Sequence, residues 1–209
     1  EIQNLYDLPQ FTDEERHLYF DLSTPERVAV EAHSISVATH LILQFGYFKA
    51  KRQLFNCDEN TESVSKDLRY VLERYFPERN IGSIRTPTKP TRLALQQITL
   101  KIFNYRPCDI KIKDELENKV KRIAMLSMQP FYILRETLQY LNNQCIVAPA
   151  YTFLQDMVGR IMTYERNRIT GLLEQMITPE IETLLDTLLQ AEEQVYRISV
   201  LKREPKDFS

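Results

Sequence analysis

Glycine, histidine, cysteine and long apolar runs are all scarce here, and each shortage removes a class of protein. With four glycines in 209 residues there is no Gly-rich phosphate loop, and no nucleophile elbow either. The three cysteines, Cys57, Cys108 and Cys145, are odd in number, far apart and without metal-ligand spacing. No disulfide framework follows, and a reducing, cytoplasmic setting is the simplest expectation. No apolar run approaches the ~20 residues that a membrane-spanning helix requires, and no basic segment followed by an apolar one opens the chain. A soluble protein with no membrane partner is expected. The sequence opens at Glu1 with no Met, which reads as an excised fragment.

Catalytic groups are equally sparse. Of the three histidines, His33 and His40 are seven apart and could share a helix face near His17, but no third ligand has a defined spacing. No metal and no cofactor is therefore expected. Carboxylates cluster at Asp13-Glu14-Glu15 and at Asp114, Glu115 and Glu117, where helix capping or solvation explains them without acid/base chemistry. An enzyme active site complete within this chain is not expected.

What the chain has is apolar residues recurring at threes and fours, 43% hydrophobic content and an uneven charge distribution. The fold class that follows is all-α. The formal net charge of −2 hides a basic band: residues 1–76 sum to −5, residues 77–123 to +6 and residues 124–209 to −3. That asymmetry suits polyanion binding, the plainer alternative being a solvated cationic surface.

Start and stop signals divide the chain. Thr12, followed by three acids, caps a short helix ending near Leu22, and Ser23-Thr24-Pro25-Glu26 starts a second that ends near His33. The stretch from His33 to Phe55 reads as a long helix with Val37, Leu41, Gln44, Phe45 and Phe48 at helical spacing and Lys49, Lys51 and Arg52 at its basic end. It reads as a docking element. Gly46 inside it signals close packing or a bend. A fourth helix runs from about Thr61 to Phe76, and the segment Asn80–Thr91, with two X-Pro steps, is the best internal boundary. Helices then follow to about Asn104, from Asp109 or Lys111 to Ala124, from Phe131 to Asn143, from Pro149 to about Ile177, and from Thr178 through Leu189.

The expected organisation is two small helix-turn-helix-like subdomains, 1–79 and a basic 80–146, then a long antiparallel helical hairpin, 147–190, and a linker, 191–209. Lys49, Lys51, Arg52, Arg85, Lys89, Arg92, Lys101 and Arg106 are the candidate contacts to DNA phosphates, with a neighbouring helix entering the major groove. Aromatic residues such as Tyr70, Tyr75, Phe103 and Tyr105 read as core. A helical interaction or oligomerisation module, using faces such as Leu154–Met176, is the alternative.

Three blocks carry a family resemblance: THLILQFGYFKAKRQLF (39–55), TRLALQQITLKIFNYRPCD (91–109) and NNQCIVAPAYTFLQDMVGRIMTYERNRI (142–169), followed by TPEIETLLDTLL (178–189). In this order they resemble the N-terminal region of TnpA, the large transposase of replicative class II unit transposons. Where that family has a Tyr-Pro-Gly step, this chain has Phe48-Lys49-Ala50-Lys51, so its helix is expected to continue longer. The resemblance implies a bacterial, cytoplasmic module that recognises the terminal inverted repeats of a transposon as double-stranded DNA. It also implies a catalytic region of the DDE type elsewhere in a longer protein, and self-association of that protein.

Overall fold

A computed structural model describes residues 3–57, 61–192 and 195–196. Among them are nine α-helices: α1 Asp13–Tyr19, α2 Thr24–Glu31, α3 Ile35–Lys51, α4 Glu62–Tyr75, α5 Lys89–Phe103, α6 Ile110–Leu126, α7 Pro130–Asn143, α8 Tyr151–Met176 and α9 Pro179–Leu189. The chain is all-α, with one short antiparallel pair formed by Ala191–Glu192 and Val195–Tyr196. That pair lies where a linker was expected, and the rest of 191–209 lies outside the described residues.

Local chemistry starts the helices where the sequence signals them. Thr12 accepts from the Glu15 amide at 3.3 Å while Glu15 accepts from the Thr12 amide at 2.9 Å, a reciprocal capping box. At α2 the Ser23 amide donates to Glu26 at 2.6 Å, and Pro25 occupies the first turn, where its missing N–H costs nothing. Thr88, Asp109 and Thr178 cap α5, α6 and α9 with their side chains alone, each accepting from the amide three residues on.

Two compact units result, Glu1–Ile161 and Met162–Ser209. In the first, α3 is the axis. Every residue from Ala38 to Phe48 is buried, not one stripe, because α1, α2, α4 and α5 all pack on it. The helix read as a docking element is therefore a core helix, and only its first and last turns approach the surface. It ends at Lys51, short of the expected Phe55, because Arg52 turns left-handed at φ 53° and its amide closes on Phe48 O at 2.8 Å. Gly46 serves close packing: a Cβ there would collide with the ring of Phe20, which is fully buried. Phe20, Phe11, Tyr47 and Phe55 join in edge and tilted ring contacts at centroid distances of 5.5–6.2 Å.

The boundary expected at 79/80 does not separate two cores. Ile84 and Leu95 belong to the same core cluster as Leu41 and Leu68, because the all-round apolar α3 needs α5 to close its remaining side. Further along the same unit, α6 and α7 pack together and bury Leu116, Val120, Ile133 and Leu141, and the start of α8 buries Leu154, Met157, Val158 and Ile161.

In the second unit, the end of α8 and all of α9 carry apolar stripes that stay open. Leu172, Leu173, Met176, Leu184 and Leu189 are exposed, and α9 contributes no buried residue. The expected antiparallel hairpin is thus a pair of consecutive helices whose stripes do not close on each other.

Candidate nucleic-acid interface

The eight candidate cations fall into three groups with different fates. At the end of α3, Lys49 is turned inward: its ammonium donates to Asp21 O and pairs at 2.9 Å with Glu26, itself only 1% exposed. That neutralised pair ties α3 to the start of α2, so Lys49 leaves the set of phosphate contacts. Lys51 donates to Asn4 O at 2.9 Å and is half-buried. Arg52 alone of the three is exposed, with its guanidinium 6.0 Å from the centroid of the Tyr105 ring.

At the start of α5, Arg85 and Lys89 are exposed and Arg92 is half-buried. The Arg85 amide donates to Ser36 Oγ at 3.3 Å, so this group sits beside the start of α3. Beyond the end of α5, Lys101 and Arg106 are exposed, and Arg106 is held by backbone: its amide donates to Cys145 O at 2.9 Å and its carbonyl accepts from Val147 at 3.0 Å.

Helices α3 and α5 run side by side in the same sense, since Ser36 meets Arg85 at one end and Phe48 meets Phe103 at 5.1 Å at the other. The 15 residues of α5 span roughly 22 Å. Arg85, Lys89 and Arg92 therefore occupy one end of this pair, and Arg52, Lys101 and Arg106 the other. Among the described residues, none of these six forms an ion pair with an acid.

Tyr105 organises the second group. Its ring packs edge-on against Phe48 at 5.1 Å, and its hydroxyl donates to Asn142 Oδ1 on α7 at 2.8 Å. Partial burial raises its pKa, against the opposing pull of Arg52. A cleft of about 310 Å³ opens between the end of α3 and α7, lined by Ala50, Lys51, Arg52, Leu138, Leu141 and Asn142. Sequence reasoning missed this junction, because Arg52 and Asn142 are brought together only by the tertiary packing of Tyr105. Lys119, exposed on α6, has its ammonium 5.5 Å from the Tyr140 ring centroid.

A buried ionic cluster was missed as well. Asp67, fully buried on α4, accepts from Arg16 Nε at 2.8 Å and from the Tyr47 hydroxyl at 2.9 Å. A carboxylate in the middle of the stripe Val64, Leu68, Val71 was its only signal. The histidines do not converge: His17 accepts from Arg74 at 3.0 Å, whereas His40 is buried within α3. Among the described residues no group of three His, Cys, Asp or Glu side chains could hold a metal ion.

Residues 1–161 match the profile of a family described as a domain of unknown function, DUF4158. The chain belongs to this family. The DUF4158 match ends at Ile161, the last residue of the first compact unit, so the family domain and the unit built around α3 coincide. Both groups of unpaired cations lie inside it. No curated protein matches the chain.

Proposed function

We propose that this DUF4158 chain is the N-terminal DNA-binding part of a TnpA-type transposase, recognising the terminal inverted repeats of its transposon and so positioning a catalytic domain carried elsewhere in the protein. The observation that carries the reading is the set of unpaired, exposed cations at the two ends of the α3–α5 pair, within a chain of net charge −2. Exposed cations of this kind can pair with the phosphates of a polyanion and release its condensed counterions on binding. Arg52, Arg85, Lys89, Lys101 and Arg106 hold phosphates of double-stranded DNA, Arg92 adds charge at the edge of the first group, and specificity comes from side chains in the grooves. The acids of strand cleavage and transfer are not assigned to any residue here.

A gel-shift titration against inverted-repeat and scrambled duplexes at several salt concentrations tests this. Binding should weaken with a log–log slope of about 0.9 per phosphate neutralised, with preference for the inverted repeat. Equal, negligible affinity for both duplexes refutes it. The open apolar stripes of α8 and α9 favour a second reading, a helical oligomerisation module. Light scattering separates the two: an obligate dimer without DNA affinity supports the second.

A further inference from the structure

We infer that α7 is the helix that reads base edges in the major groove, with Arg135 and Gln139 as its central reading residues; this rests on the DNA-binding reading above. A reading helix must present a stripe of side chains that can donate and accept hydrogen bonds, stand clear of its own core, and be flanked by cations that meet the phosphates on either side of the groove. In this molecule α7 meets all three conditions.

Its buried side is Ile133, Leu134, Thr137 and Leu141. The opposite side presents Phe131, Arg135 and Gln139 at steps of four, with Asn143 and Asn142 beside them, the last already accepting from Tyr105, and all five are exposed. Arginine matches guanine O6 and N7, Gln and Asn match adenine N6 and N7, and an apolar edge such as Phe131 suits the thymine methyl. From Phe131 to Asn142 the stripe is roughly 16 Å long, the axial rise of about five base pairs.

The flanks are cationic. At 100° per residue Leu138 and Tyr140 lie on opposite shoulders of α7. Leu138 lines the cleft that also holds Arg52, while Tyr140 carries the ammonium of Lys119 from α6. Arg52 and Lys119 thus bracket the stripe. The connection to α6 is the three residues Ser127–Gln129, so α7 follows its packed neighbour through a short turn, as the second helix of a helix-turn-helix does. The one acid on α7, Glu136, lies on the Tyr140 shoulder, 3.3 Å from Arg135, and this exposed contact is weak enough to yield to a base.

Selection from a pool of randomised duplexes with the full 209-residue chain tests the assignment, followed by titration of the selected and scrambled duplexes with Arg135→Ala, Gln139→Ala and the double variant. Both substitutions are at exposed positions, and a thermal melt by circular dichroism verifies the fold of each of the three variants. The expected result is a loss of roughly 10-fold or more in preference for the selected duplex per variant, with affinity for the scrambled duplex and its salt slope nearly unchanged. A selected consensus and preference retained in the double variant overturn the assignment of α7 while leaving DNA binding intact. Failure of the unaltered chain to bind any duplex overturns both readings.

Discussion

Replacing Asp67 by alanine should be among the most damaging single changes to the fold, although the residue touches no proposed ligand. Its carboxylate joins three helices: Arg16 from α1 at 2.8 Å, Tyr47 from α3 at 2.9 Å, and α4 itself. Truncation leaves a buried phenol without its acceptor, and a guanidinium only 13% exposed whose remaining acid partner is the solvent-exposed Asp13 at 2.8 Å. Removing one partner of a buried ion pair costs about 3–5 kcal/mol, out of a total stability that is typically about 5–15 kcal/mol. For a chain of this size that lowers the melting temperature by roughly 6–20 °C. Tyr47→Phe removes only one donor and should cost about 1–3 kcal/mol. Burial, the largest influence, holds Asp67 above the ordinary carboxylate range despite Arg16 and Tyr47. The native state then binds that proton more tightly than the unfolded chain does, so the stability Asp67 contributes declines as pH rises through the interval between the ordinary and the raised pKa. Denaturant titrations of the unaltered chain, Asp67→Ala, Tyr47→Phe and the double variant at several pH values measure these effects. They are best followed by far-UV circular dichroism, since the chain has no tryptophan. A loss below about 1 kcal/mol for Asp67→Ala, or no coupling between the two sites, would refute the account of a dry, three-helix junction.

Gly46→Ala should destabilise by about 1–3 kcal/mol or more, since the new methyl meets the Phe20 ring in a filled core; equilibrium unfolding measures it, and a neutral result would mean that the ring can move aside. Lys49→Ala and Arg52→Ala should separate structure from binding. The first leaves Glu26 buried and unpaired and lowers stability by about 3 kcal/mol or more, while the second leaves the melt within about 0.5 kcal/mol and weakens duplex binding at low salt. Burial pushes the Cys57 thiol up to about 12, against an ordinary value near 9, so its thiolate is roughly a thousandfold scarcer at pH 8. Timed alkylation with mass-spectrometric readout should find Cys57 the slowest of the three cysteines until denaturant is added.

Helix positions were legible because their signals are local. Thr12 with the acids that follow it, Ser23 with Glu26, Asp109 and Thr178 each fix a start within a residue or two, and no distant contact is needed to read them. The end of α3 was not legible. A non-glycine residue in the left-handed region has no strong sequence signature, and Arg52 adopts it because its amide caps α3 while Leu54 and Phe55 return to the apolar interior. The number of cores was not legible either. The Pro-containing segment before α5 looks like a boundary, yet burial of α3 on all sides depends on residues from both sides of it.

Charge shows the same division more sharply. A count by segment treats Lys49, Lys51 and Arg52 as equivalent, four residues at the end of one helix including Ala50. The fold gives the first a buried acid, the second a carbonyl and the third only an aromatic face. The difference arises from acids more than twenty residues away: Glu26 comes to Lys49 because Ser23 draws its carboxylate back to cap α2, and a capping box is a local device. An acid spent on capping can thus neutralise a cation from another helix, and one at the surface of α6, such as Glu117, holds Lys121 and Arg160 instead. Cations that meet no such acid stay exposed to solvent. Arg85, Lys89, Lys101 and Arg106, near the two ends of α5, are among them, whereas Arg135 on α7 meets Glu136 at 3.3 Å.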